Sequence, residues 1–157
     1  MLKMSDLIDN DNNWIGGSTT LVQTGDIVDR GDDTIAIFQL FMKLKRQAED
    51  AGGKVIEILG NHELMNYVGD LRYVTQRDYD SFGGAEKRAA AWEKDGWIGS
   101  YVTQLPIGAK IGKTAFFHGG LSPFFSYHGL KRLEDARMKA MNQNSRSDII
   151  QNKLFKK

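Results

Sequence analysis

The sequence contains no cysteine and only two prolines among its 157 residues. Without cysteine, the chain can form no disulfide, no thiolate nucleophile and no cysteine-ligated zinc or iron–sulfur site. No apolar run approaches the ~20 residues that a membrane-spanning helix needs, so no membrane partner is expected. Lys and Arg number 21 against 20 Asp and Glu, which leaves a formal net charge of +1. This balance gives no general electrostatic attraction to nucleic acid.

What the sequence does contain is the composition of an ordinary globular domain. Hydrophobic residues make up 41% and charged residues 26% of the chain, as is typical of soluble proteins. The length predicts one domain over residues 1–157. The first six residues lack the apolar stretch of a secretory signal, so a cytoplasmic location is expected. The oligomeric state stays open.

The order of predicted strands and helices indicates an α/β fold. A strand over residues 19–24, a helix over 34–50 and a strand over 55–59 predict a β-α-β unit with parallel strands. Asp32 and Asp33 are candidate caps of that helix. Residues 64–105 are expected to form helices and loops, including helices over 85–94 and 97–105. Two strands are predicted next, over 107–111 and 113–117. The C-terminal part is expected to form a helix over 128–141, a break over 142–147, and a short helix or frayed tail over the last ten residues.

Three polar segments each follow a predicted strand. They are Gly-Asp-Ile-Val-Asp-Arg-Gly at 25–31, Gly-Asn-His-Glu at 60–63 and His-Gly-Gly at 118–120. Ligands of open α/β sheets bind outside the carboxyl ends of the strands, so the three loops are predicted to meet at one edge. Together they bring two carboxylates, an amide, a guanidinium and two imidazoles. This set suits divalent metals and an anionic substrate.

Each of these polar residues also has an ordinary structural explanation, as a turn or helix cap, a surface ion pair or a core histidine. The residues in question are Asp26, Asp29, Arg30, Asn61, His62 and His118. Their joint occurrence at three strand ends favours a functional site. A shared carboxylate can bridge two metals ~3.5–4 Å apart that clamp a phosphoryl group. His128 lies in no motif and is interpreted as structural.

The three motifs together resemble the calcineurin-like metallophosphoesterases, specifically the phosphoprotein phosphatase family. Its hallmarks are Gly-Asp-x-x-Asp-Arg-Gly, Gly-Asn-His-Glu and a later His-Gly-Gly. The segments at 14–17, 21–24 and 64–74 further resemble the bacterial-type Shewanella-like phosphatases. The resemblance implies part of the family's α/β sandwich, with a helical cap insertion over residues 64–105.

The resemblance also implies a dinuclear metal site. Asp26 would bridge two divalent ions, with manganese expected and iron or zinc as alternatives. Asn61 and His118 would bind the second of these ions. This implied site is dinuclear even though only the second ion has several recognisable ligands.

Catalytic roles follow from the same resemblance. His62 would act as general acid, oriented by Asp29, and Arg30 would hold the phosphate. Glu63 and Gly31 would be structural supports.

Two parts of the family pattern are missing. No Gly-Asp-x-His-Gly motif precedes Asp26, although Asp6, Asp9 and Asp11 lie upstream, and no histidine precedes His62. The late metal-binding histidine is also absent. The sequence is therefore interpreted as part of a larger phosphatase, with a degenerate phosphatase or a site completed by a second chain as alternatives. Unpaired strand edges and marginal stability are expected of the isolated chain.

The predicted function is metal-dependent phosphoester hydrolysis by direct attack of a metal-bound hydroxide, without a phosphoenzyme. The expected substrate is a protein phosphorylated on serine, threonine or tyrosine. A dinucleoside polyphosphate or another small phosphoester is the alternative substrate. A catalytically incomplete binding domain and a fragment without its own function are the alternatives from other classes.

Overall fold

A parallel β-α-β unit organises the computed structural model, which describes residues 1–142. Strand β1 (Thr20–Gln23) pairs in parallel with β2 (Lys54–Glu57). Helix α1 (Thr34–Asp50) connects the two strands. This arrangement is the predicted one, although β2 ends two residues before the predicted limit.

Helix α1 forms because its apolar side chains recur at helical spacing. Phe38, Phe41, Leu44 and Ala48 are all buried on one face of the helix, as expected of a helix packed on a sheet. The predicted side-chain caps are wrong. Asp33 precedes the helix without a capping hydrogen bond, and Asp32 instead accepts a hydrogen bond from the Thr75 hydroxyl at 2.6 Å.

Four helices follow Gly60, and the first of them begins with the Asn, His and Glu of the second motif. They are α2 (Asn61–Tyr67), α3 (Gln76–Ser81), α4 (Ala85–Trp92) and α5 (Trp97–Val102). The edge of one ring of the Phe38–Trp92 pair faces the other, at 5.6 Å between centroids, and Ile98 and Leu64 belong to the same core. The helices therefore share a core with α1. Their function as a cap stays a prediction.

The last two described strands form a separate hairpin. Strands β3 (Gly108–Ile111) and β4 (Thr114–Phe117) are antiparallel, and over residues 1–142 they make a sheet distinct from β1–β2. The third motif therefore follows a strand of another sheet. Both sheets, as far as they are described, have two strands, so the expected unpaired edges are present.

Helix α6 (Pro123–Asn142) begins five residues before the predicted start, and Gly129 interrupts it with φ 84° and ψ 167°. Proline at the first position of a helix is favourable because its missing N–H needs no partner there. The predicted break past residue 142 and the final ten residues lie outside the described part. Among the described helices, none has the length and apolar character needed to cross a membrane.

Candidate active site

The loop at 25–31 is held in an unusual backbone conformation. Asp26, Asp29 and Arg30 all have left-handed φ angles, of 59°, 73° and 57°. Such conformations cost about 1–3 kcal/mol each and persist where the surroundings fix them, often at active sites. Gly25 has φ 93°, and a Cβ there would lie 2.7 Å from both the Gly60 Cα and the His118 Nδ1. Glycine thus allows the three motif loops to touch.

The buried carboxylate of Glu63 joins the first two loops. Its Oε2 accepts hydrogen bonds from the backbone N–H of Asp26 at 2.9 Å and of Gly60 at 2.8 Å. Its Oε1 accepts from the N–H of Ile27 at 2.7 Å. Burial raises the pKa of Glu63, and the N–H donors offset part of that rise. Glu63 therefore connects the second motif to the backbone of Asp26 and Ile27.

The third loop meets the first two through His118. The ring Nδ1 lies 2.7 Å from the backbone oxygen of Thr24, and a carbonyl oxygen can only accept, so Nδ1 carries the proton. In the neutral ring Nε2 then has a lone pair. Nε2 lies 3.0 Å from the Asn61 Oδ1 and 3.2 Å from the Asp26 Oδ2. Two oxygen atoms with lone pairs therefore lie within 3.2 Å of this nitrogen, an arrangement that is favourable when a cation lies between them.

The spacing of these atoms fits a divalent metal. Two ligands about 2.1 Å from one ion, at right angles to each other, lie about 3.0 Å apart. The histidine N–H bonded to a backbone carbonyl is the arrangement that orients metal-binding histidines elsewhere. No group of three His, Asp or Glu side chains gathers as a metal cluster in residues 1–142. The donor set therefore depends on the amide oxygen of Asn61.

The upstream acids take part in a turn of their own. The Asp9 Oδ1 accepts hydrogen bonds from the N–H groups of Asp11 at 2.9 Å and Asn13 at 2.8 Å. The backbone N–H of the following residue, Trp14, donates to the Gln47 Oε1 on α1 at 2.9 Å. The Asp9 carboxylate thus stabilises the segment that packs on α1.

His62 lies beside the proposed metal ligands but faces a different partner. Its Nδ1 is 2.5 Å from the Asp29 Oδ2, and the Asp29 side chain is 1% exposed. Its Nε2 lies 4.0 Å from the Asp26 Oδ2, and its backbone N–H donates to the Asp26 Oδ1 at 3.1 Å. Asp29 therefore fixes the ring so that Nε2 points toward the carboxylate of Asp26.

Arg30 stacks on an aromatic ring that the sequence did not single out. The Arg30 Cζ lies 4.6 Å from the centre of the Tyr73 ring. The centres of the His62 and Tyr73 rings are 5.1 Å apart. The backbone N–H of Arg30 donates to the Tyr73 carbonyl at 3.1 Å. In the described part of the chain, no carboxylate pairs with the Arg30 guanidinium, so it is suited to an anion.

Sequence reasoning missed Thr24, Tyr73 and Asn66. Asn66 follows His62 by one helical turn, and this spacing could have placed both on one face of α2. Thr24 contributes a backbone oxygen and Tyr73 approaches through a loop, so no pattern marks either. His128 is exposed and packs on Phe124, at 4.4 Å between ring centres.

Comparison with known proteins decides the family. Residues 5–157 match the calcineurin-like phosphoesterase family. This chain belongs to that family. It is 34% identical to Shewanella-like protein phosphatase 2 of Arabidopsis thaliana, over 85% of this chain and 45% of that protein. It is 33% identical to Shewanella-like protein phosphatase 1 of Plasmodium berghei, over 80% of this chain and 36% of that protein.

A solved structure shows the same fold. The cold-active protein-tyrosine phosphatase of a psychrophilic Shewanella species is 32% identical, with a TM-score of 0.82 over 99% of this chain and 49% of that one. The predicted α/β calcineurin-like fold and the likeness to Shewanella-like phosphatases are confirmed. The chain spans about half or less of the length of these relatives.

Proposed function

We propose that the chain forms part of a metal-dependent phosphoester hydrolase that acts on phosphorylated proteins. The observation that carries this proposal is the convergence of the Asp26, Asn61 and His118 donor atoms beside the His62–Asp29 pair. A metal site next to an oriented imidazole can activate water and protonate the leaving oxygen of a phosphoester. The proposed substrate is a protein phosphorylated on serine, threonine or tyrosine, and the similarity to protein phosphatases, one of them a protein-tyrosine phosphatase, supports a phosphoprotein.

The metal would be held by Asp26, Asn61 and His118. Divalent metals at such a site polarise phosphoryl oxygens and lower the pKa of a bound water. A mixed oxygen and nitrogen donor set suits manganese, and also iron or zinc. In the proposed pair of ions this is the second ion, and the Asp26 carboxylate would help to hold the first ion as well.

The other residues would bind the substrate and move a proton. The planar guanidinium of Arg30, stacked on Tyr73, would donate to two phosphoryl oxygens. As the bond from phosphorus to the leaving oxygen breaks, the protonated His62 would donate its Nε2 proton to that oxygen. Asp29 would keep the ring in place throughout by accepting from Nδ1. Residues 64–105, which supply Tyr73, would act as a cap beside the substrate.

A second candidate is a phosphoprotein-binding domain without turnover. The small donor set favours it, because the described residues bring three metal-binding side chains together and the predicted dinuclear site needs more. In this function Arg30 and the bound metal would hold a phosphate, and His62 would have no leaving group to protonate.

The experiment that separates these functions measures hydrolysis and binding on one preparation. The chain is incubated with saturating manganese and a phosphopeptide, with a dinucleoside polyphosphate in parallel, and released phosphate is recorded. Manganese-dependent release from the phosphopeptide that disappears in Asp26→Asn supports the protein phosphatase. Phosphopeptide binding without release supports the binding domain. Preferential cleavage of the dinucleotide would replace the proposed substrate.

A further inference from the structure

A buried arginine lies in the helices that follow the second motif. Arg88 on α4 is 2% exposed, and its Nε donates to the Asp78 Oδ2 on α3 at 2.7 Å. Three rings surround its guanidinium at 5.5–5.6 Å, those of Tyr79, Phe82 and Trp92. A buried charge is unfavourable unless it is paired and hydrogen-bonded. The ion pair and the rings therefore hold this side chain in one place.

Arg88 reaches the candidate active site through one amide. Its Nη2 donates to the Asn66 Oδ1 at 2.7 Å. The Asn66 Nδ2 donates in turn to the Asp29 Oδ1 at 2.9 Å and to the His62 carbonyl at 3.0 Å. Because an arginine can only donate, it holds the amide with its oxygen toward Arg88 and its NH₂ group toward Asp29.

The direction of these hydrogen bonds decides which carboxylate oxygen meets His62. The Asn66 NH₂ group occupies the Asp29 Oδ1, and the Asp29 Oδ2 is left facing the His62 Nδ1 at 2.5 Å. Asn66 is 2% exposed, so water does not easily replace its donor. The Asp29 carboxylate and the His62 carbonyl can only accept, so they favour the same orientation of the amide, and Arg88 adds a charged donor that fixes the amide oxygen at the other side.

We infer that Arg88 and Asn66 are positioning residues that fix the ring of His62 through Asp29. The inference rests on the proposed role of His62 as general acid. It connects α3 and α4 to the motif loops by directed hydrogen bonds. Arginine is required at this place, since its planar fork donates to Asp78 and Asn66 in two fixed directions and a lysine ammonium does not.

The test observes the His62 ring directly, without turnover. Histidine is labelled with ¹⁵N in the full chain, and the Nδ1–H resonance of His62 is recorded at one fixed pH. The chain has three histidines, so His62→Gln assigns the signal. We expect a slowly exchanging, downfield proton in the wild type. In Arg88→Lys and in Asn66→Asp this signal should be lost or shifted upfield, while those of His118 and His128 stay in place.

Arg137 supplies a matched control. It is also a buried arginine, 4% exposed, with its Nε 2.6 Å from the Glu134 Oε1 and its Nη1 2.9 Å from the Thr103 carbonyl. These hydrogen bonds run within α6 and to the end of α5, away from His62, so Arg137→Lys should leave the His62 signal unchanged. An equal change in Arg137→Lys would overturn the inference, because it would reflect general loosening.

An unchanged His62 signal in a folded Arg88→Lys or Asn66→Asp chain would also overturn it. If Arg88→Lys fails to fold, Asn66→Asp decides, since it keeps an acceptor for Arg88 and removes the NH₂ group that donates to Asp29 and to the His62 carbonyl. In a preparation with turnover, both variants should lower kcat and leave KM nearly unchanged. If the wild type shows no turnover, that result counts against the proposed function, and the resonance test still decides the roles of Arg88 and Asn66.

Discussion

The Nδ1 of His62 lies 2.5 Å from the Oδ2 of Asp29, whose side chain is almost fully buried. The two residues belong to different motifs, and the backbone at Asp29 adopts a left-handed φ of 73° to bring them together. This pairing leaves the second ring nitrogen of His62 directed at Asp26 and therefore at the proposed metal.

The pair predicts the effect of two substitutions on turnover. His62→Gln removes the proton donor and should lower kcat by about 10²–10⁴-fold. Asp29→Asn presents an amide to Nδ1 and should lower kcat in the same direction, with KM little changed. Steady-state kinetics on a phosphopeptide with manganese measures both. Near-normal turnover of His62→Gln would refute the assigned role of His62.

Tyr73 should contribute to phosphate binding through Arg30. A cation stacked on an exposed ring gains about 0.5–1 kcal/mol, which corresponds to about a 2–5-fold change in affinity. Tyr73→Ala should weaken inhibition by inorganic phosphate by that factor, while Tyr73→Phe keeps the ring and should resemble the wild type. Equal inhibition constants for the alanine and phenylalanine variants would show that the stacking does not matter.

Glu63 should stabilise the metal-free fold by holding three N–H groups. In Glu63→Gln, one carboxylate oxygen becomes an NH₂ group that faces a backbone donor. A buried polar group left without a partner costs about 1–3 kcal/mol, and the free energy of unfolding should fall by that amount in urea denaturation. Glu93→Gln changes an exposed acid and is the control. A midpoint equal to that of the control would contradict the bridging role.

Glu57 predicts a pH dependence of stability. Burial raises the pKa of this carboxyl above its ordinary 4.5, and the hydrogen bond from the Tyr101 hydroxyl and the charge of Lys45 offset part of the rise. The folded state therefore holds the proton more tightly than the unfolded chain. The protonated Glu57 carboxyl therefore favours the folded state. This contribution to the free energy of unfolding is complete below pH 4.5 and declines as the pH rises through the raised pKa. Each pH unit that separates the raised pKa from the ordinary one corresponds to about 1.4 kcal/mol of this decline.

Glu57→Gln should remove this decline. A glutamine oxygen still accepts from Tyr101, and the residue carries no charge at any pH. The free energy of unfolding of the variant, relative to the wild type, should rise as the pH increases from 4.5 through the raised pKa, measured by denaturation at each pH. The control is Glu86→Gln, which changes an exposed acid on α4. Parallel curves for the wild type and Glu57→Gln would contradict this account.

The sequence predicted those features that depend on local pattern. The limits of α1 followed from apolar spacing, and the candidate residues followed from three contiguous motifs. The separation of β3–β4 from β1–β2 was not predictable, since strand pairing depends on contacts far apart in the chain. Arg88 and Tyr73 were missed for the same reason, because each reaches the site through tertiary contacts. Pro123 was an unused local signal for the start of α6.

The most direct test of the central claim is the metal content of the chain. Purified protein is dialysed to equilibrium against manganese, and the bound metal is measured by elemental analysis for the wild type and for Asp26→Asn. The account predicts at least one manganese ion per wild-type chain and its loss in the variant. No bound manganese in the wild type, or equal binding in both proteins, would contradict it.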